Sequence, residues 1–183
     1  SRRGSVIVRV KSDDTLQPMH CQIPMHWGPE WWGGLDSLGG VNALTSPVVD
    51  PYSKQPELKH CAVHIEPATM TWECVAALEH PQALALLSSL RFWFTKLDVV
   101  TLAPTGRDRP GVLFRAACAH APSAEVCEAL SMALGFEAGQ ANSLRYHDAK
   151  TGATRQIQLL PINGLEHNST SGQGVRLTAY LLM

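Results

Sequence analysis

Apolar and polar positions alternate over short stretches of this chain. Val6, Val8 and Val10 stand against Ile7 and Arg9, so Ser5 to Lys11 is predicted as a half-buried strand, with Gly4 in the turn before it. Cys21 to Met25 reads as a second strand, ended by His26-Trp27-Gly28-Pro29, and Cys61 to Ile65 as a third. Turn chemistry fills the gaps: Ser12-Asp13-Asp14-Thr15, Gln17-Pro18, and a Gly33–Gly40 stretch with four glycines whose backbone is free to approach a neighbour closely. The character changes near Pro67. Beyond it, Thr71 to Leu78 reads as a strand or the start of a helix, and the Ala/Leu-rich Pro81 to Leu90 as a helix with proline in its first turn. Phe92 to Leu102 and Gly111 to Ala119 are predicted strands. Ser123 is placed to cap a helix running to Leu134, with Gly135 at its C′ position. Leu144 to His147 and Ala153 to Leu160 flank a five-residue loop as a hairpin, and Val175 to Leu182 adds a last strand. The expected fold class is therefore mainly β over residues 1–67, then α+β over 68–183, with one or two helices against an antiparallel sheet.

Composition narrows the function classes. With 183 residues the chain is long enough to bury a core, and a formal net charge of −1 carries no general nucleic-acid footprint. No apolar run reaches bilayer-spanning length and no signal peptide opens the chain, so a cytoplasmic location is expected. The abrupt Ser1-Arg2-Arg3-Gly4 start and the apolar run from Leu177 to Met183 suggest a fragment, and residues 1–67 hold too few strands to close a core alone. Cys21, Cys61, Cys74, Cys118 and Cys127 form no CxxC or CxC pair, which argues against a disulfide framework or a metal nest and for mostly buried thiols. His60 and His64 would share one face of a strand, a geometry open to a metal. No third ligand stands at convincing spacing, so ordinary side chains are the expectation there.

One constellation is more specific. Arg2-Arg3-Gly4-Ser5-Val6, Met25-His26-Trp27, Val41-Asn42-x-Leu44-Thr45 and Asp50-Pro51-x-Ser53-x-Gln55-Pro56-Glu57-Leu58-Lys59-x-Cys61-Ala62-Val63 occur in that order. Together they resemble the C-terminal dinucleotide-binding domain of the molybdopterin oxidoreductases, most of all that in the catalytic subunit of bacterial assimilatory nitrate reductases. The resemblance covers about residues 1–67. It implies the second half of a double-psi β-barrel whose loops hold bis-molybdopterin guanine dinucleotide with molybdenum. It also implies nitrate as the substrate of the whole enzyme, an electron-donor protein or domain, and iron–sulfur and molybdenum-ligating cysteines in an upstream part. None of the five cysteines here matches those motifs, so no metal ligand and no catalytic residue is nominated. Residues 68–183 resemble the family's extension past the barrel less specifically, and lack the cysteine cluster some members carry there.

The resemblance turns four residues into candidate cofactor contacts. Asn42 offers a donor and an acceptor that match the mixed edge of a pterin or guanine ring; without the resemblance it reads as a turn asparagine after Gly39-Gly40. Lys59 follows 17 positions later, the family's separation between its asparagine and a cofactor-contacting lysine, and an ammonium there neutralises phosphate. A solvated loop lysine is the alternative, and Lys54 is expected to be that case. His26 and Trp27 close the strand before the site with a heteroatom donor and a flat apolar wall, or else with a backbone-bonded histidine beside a packed tryptophan. Trp31 and Trp32 are adjacent, so one of them is expected to stack on a neighbouring domain. Arg2 and Arg3 suit pyrophosphate but read first as a basic turn. Asp50 and Glu57 read as loop braces, and Phe92, Trp93 and Phe94 as core. Two other functions fit: a formate dehydrogenase of the same superfamily, and a noncatalytic β-barrel binding or interaction module.

Overall fold

The computed structural model describes residues 1–35, 40–56, 60–136, 139–140, 142–161 and 175–183. Its centre is one antiparallel sheet of seven strands in the order β1-β3-β4-β2-β7-β6-β5. These are β1 (Trp32–Gly33), β2 (Trp72–Glu79), β3 (Val99–Thr105), β4 (Gly111–Cys118), β5 (Ser143–His147), β6 (Thr154–Pro161) and β7 (Val175–Leu182). Helix α1 (Ala83–Leu90) joins β2 to β3, and α2 (Ala124–Ala133) follows β4. Taken without the β5–β6 hairpin, β2-α1-β3-β4-α2-β7 with sheet order β3-β4-β2-β7 is the split βαβ arrangement of ferredoxin-like folds. The hairpin lies between α2 and β7 in sequence and widens the sheet beyond β7. The described residues are thus β-rich with two α-helices, an α+β layer.

One face of the sheet builds the core. Cys74, Ala76 and Leu78 of β2 line up with Val112, Phe114 and Ala116 of β4, all at most 7% exposed, because every second residue of a strand shares a face. Leu87 and Leu90 of α1 and Leu130 of α2 close over them. The ends of α2 follow local chemistry: Val126 N–H donates to Ser123 Oγ at 3.3 Å, and Gly135, at φ +79°, takes the left-handed conformation that ends the helix.

Two sets of predicted strands differ from what forms. The segment predicted as a strand over 92–102 begins instead as a 3-10 turn, Arg91–Thr95, and β3 starts only at Val99. Trp93 and Phe94 are both buried, and neighbouring side chains reach one side in a helical turn, not in a strand. Ser5 to Lys11, Cys21 to Met25 and Cys61 to Ile65 are not part of the sheet. Alternation marks residues that could share a face, but a strand forms only where a neighbour supplies its hydrogen bonds. Val10 is 77% exposed, so no second layer covers that end of the stretch. No helix among the described residues is long and apolar enough to cross a membrane.

Candidate cofactor-binding site

Trp27 and Asn42 come together although 15 positions separate them. A 3-10 turn spans Gly40–Leu44, and Val41 N–H at its start donates to the Trp27 carbonyl at 3.1 Å. Gly40 (φ +58°) packs so close to the Trp27 carbonyl and to Gly28 that an added Cβ would meet that oxygen at 2.5 Å. Only glycine combines that backbone conformation with that approach. Leu44 is buried beneath the turn, while Asn42 stands exposed on it. The Asn42 carbonyl accepts from Thr45 N–H (3.2 Å) and Thr45 Oγ1 (3.1 Å), and its side-chain amide bonds no other described residue. The backbone therefore closes the local turn and leaves the amide's donor and acceptor outward.

His26 lies one residue before the half-buried Trp27, exposed and at φ +79°. A non-glycine residue in that region carries strain and recurs at binding sites. Gly4 runs across the other side of the turn, against Ala43, and Arg3 donates to Ser46 Oγ at 3.2 Å. Arg3 is thus the tied basic turn residue, while the Arg2 side chain bonds no described residue. Lys59 and Glu57 lie outside the described residues. Lys54 sits exposed in its loop at φ +59°. Asp50 braces that loop: its Oδ1 accepts from Ser53 N–H (2.7 Å), Tyr52 N–H (3.0 Å) and Ser53 Oγ (3.0 Å). The Ser53 and Tyr52 bonds hold its carboxyl below the ordinary value of 3.8.

The two tryptophans separate by strand alternation. Trp31 packs against the core of residues 72–183, and Trp32, 4% exposed, turns to the opposite face of the sheet. The Trp32 Nε1–H is buried without an acceptor among the described residues. Sequence reasoning missed that β1 belongs to the edge of β3, since a two-residue strand rich in glycine carries no periodic signal. Among the described residues, no group of three or more His, Cys, Asp or Glu side chains is placed to hold a metal ion. The described groups form a polar ledge with an outward amide, an exposed imidazole, a half-buried indole and one guanidinium free of described partners. These groups present hydrogen-bond donors, and the amide also an acceptor, to solvent.

Residues 1–62 match the family model of the molydopterin dinucleotide binding domain. The chain is 46% identical over 67 residues to a nitrate reductase of Synechocystis sp. (strain ATCC 27184 / PCC 6803 / Kazusa), a match that covers 37% of this chain and 9% of that protein. A nitrate reductase of Klebsiella oxytoca is 34% identical over 73 residues, covering 40% of this chain and 8% of that protein. Formate dehydrogenase H of Escherichia coli (strain K12) is 36% identical over 67 residues, covering 37% and 8%. This chain therefore spans less than a tenth of the length of these relatives. No solved structure matches it. Asn42, His26 and Trp27 lie within the matched residues.

Proposed function

We propose that this chain is a cofactor-holding part of a molybdopterin oxidoreductase that reduces nitrate to nitrite in nitrate assimilation. Residues 1–67 are the C-terminal part of its dinucleotide-binding double-psi barrel, and 68–183 an α+β extension. The observation that carries the reading is the match of residues 1–62, with two nitrate reductases, 46% and 34% identical, beside formate dehydrogenase H at 36% among the relatives. The cofactor is bis-molybdopterin guanine dinucleotide with molybdenum, which supplies the oxygen-atom transfer and its electron exchange. The chain supplies binding. The Asn42 amide donates to and accepts from the heteroatom edge of a pterin or guanine ring, His26 donates a ring N–H, Trp27 covers a ring face, and Lys59 neutralises phosphate. An iron–sulfur cluster in another part of the enzyme and a separate electron donor complete it, in the cytoplasm. The formate dehydrogenase reading keeps support from its own match over the same number of residues.

The test uses the full-length protein. Elemental and pterin-fluorescence analysis are expected to find molybdenum and pterin, and turnover to proceed with nitrate rather than formate. Asn42→Ala is expected to lower cofactor content about tenfold, the order of one lost hydrogen bond with its unmatched partner, whereas Lys54→Ala leaves it unchanged. A full-length protein without molybdenum or pterin sinks the reading; turnover of formate alone replaces it with the alternative.

A further inference from the structure

Strand β1 is short, but its attachments are many and lead straight to the ledge. Leu102 N–H donates to the Trp31 carbonyl at 2.8 Å, Leu35 N–H to the Leu97 carbonyl at 3.1 Å, and Arg91 Nε–H to the Glu30 carbonyl at 3.0 Å. The Trp31 indole packs against the core of the other region. Gly33 lies against the Phe94 ring and Gly34 against the Asp98 carbonyl, each too near for a side chain. From this anchor a backbone relay runs back to the candidate contacts. Trp31 and Trp32 N–H both donate to the Gly28 carbonyl (3.0 and 3.2 Å), the residue beside Trp27, whose own carbonyl accepts from Val41.

We propose that residues 68–183 are a positioning domain for the cofactor loop: the attachment of Trp31–Leu35 to β3 fixes Trp27 and, through the Val41 bond, Asn42. The proposal rests on the reading of His26, Trp27 and Asn42 as cofactor contacts. The ledge has no regular strand of its own to stiffen it, and irregular segments open locally at little cost. Binding groups held in place before the ligand arrives avoid the ordering cost on binding. Trp31 and Gly34 are therefore positioning residues, which act through the groups read as cofactor contacts.

Residue-resolved hydrogen exchange on the 183-residue chain tests the coupling without cofactor. Gly34→Val forces the loop off the Asp98 carbonyl. Leu102 N–H, the anchor, and Val41 N–H, the ledge, are expected to exchange at least about tenfold faster, while Ala76 N–H in the central strand β2 keeps its rate. Selective acceleration of Val41 separates positioning from a general loss of stability. Faster exchange at Leu102 with Val41 unchanged overturns the proposal, and so does unchanged exchange at Leu102. If Ala76 also accelerates, Arg91→Ala decides: it removes one exposed bond and leaves the core intact, and about threefold faster exchange is expected at Val41 alone. No change there overturns the proposal. Cofactor content of the full-length protein is measured separately. Coupling without cofactor would sink the assignment of the ledge, and cofactor without coupling would sink only the positioning role.

Discussion

Burial pushes the Cys74 thiol up to about 12, with Cys127 adding to the shift, because β2 lies between β4 and β7 beneath the helices. Cys118 is also buried and its thiol is raised, chiefly by that burial; Cys61 and Cys127 are half-buried, and Cys21 is exposed. The expected set of mostly buried thiols thus holds fully for two positions, and Cys21 is the exception because its segment joins no sheet. The consequence for pH has a definite sign. Below pH 9, the ordinary value, Cys74 is protonated whether the chain is folded or not. Between 9 and about 12 only the unfolded chain ionises, so folding stability falls as pH rises through that window. Urea midpoints are expected to drop from pH 8 to pH 10.5, with a smaller drop in Cys74→Ala. Iodoacetamide at pH 8 should consume Cys21 first and Cys74 last; early labelling of Cys74 in folded protein would refute the placement of β2. The Asp50 brace obeys the opposite sign. Its lowered carboxyl holds the loop above pH 3.8 and releases it as pH falls further.

At the scale of elements, local chemistry decided the helices and neighbours decided the strands. Ser123 and Gly135 mark the ends of α2 in the sequence because capping involves residues within one turn of each other. Ser123→Ala is expected to cost about 1 kcal/mol, read from the denaturant midpoint at constant slope; a change below the error of that measurement would show the cap to be idle. The β4 strand and the β5–β6 hairpin were legible from their own alternation and bounding turns. The Arg91–Thr95 turn was not, because its two buried aromatics are consecutive and answer to a core assembled from distant strands. Ser5 to Lys11 alternates as well as β4 does. Its Arg9 side chain reaches Glu73 of β2 at 3.2 Å, but it pairs with no strand among the described residues, and alternation alone is not sufficient.

For the whole molecule, the weight of structure lies in residues 72–183, whereas the family match lies in residues 1–62. The ledge is open: Asn42 and His26 both face solvent. A site that leaves so much of a ligand exposed gains little apolar burial, so the isolated chain is expected to hold no dinucleotide cofactor tightly. Thermal melts with and without cofactor measure this directly, since a ligand of the folded state raises the midpoint in proportion to its saturation. Submicromolar binding would mean that these residues suffice, and would favour a self-standing binding module over a part of a larger enzyme.

The sequence by itself determined the resemblance of residues 1–62, the α+β class, the capped helix and the hairpin. Each of these is written in motifs or in residues that contact near neighbours along the chain. Only the tertiary structure decided where the two tryptophans go, which strand β1 joins, and that the turn carrying Asn42 bonds to the Trp27 backbone. Those outcomes depend on hydrogen bonds and packing between segments tens of residues apart, such as Trp31 with Leu102 and Glu30 with Arg91. Periodicity along a chain carries no record of which distant edge lies free to receive a strand.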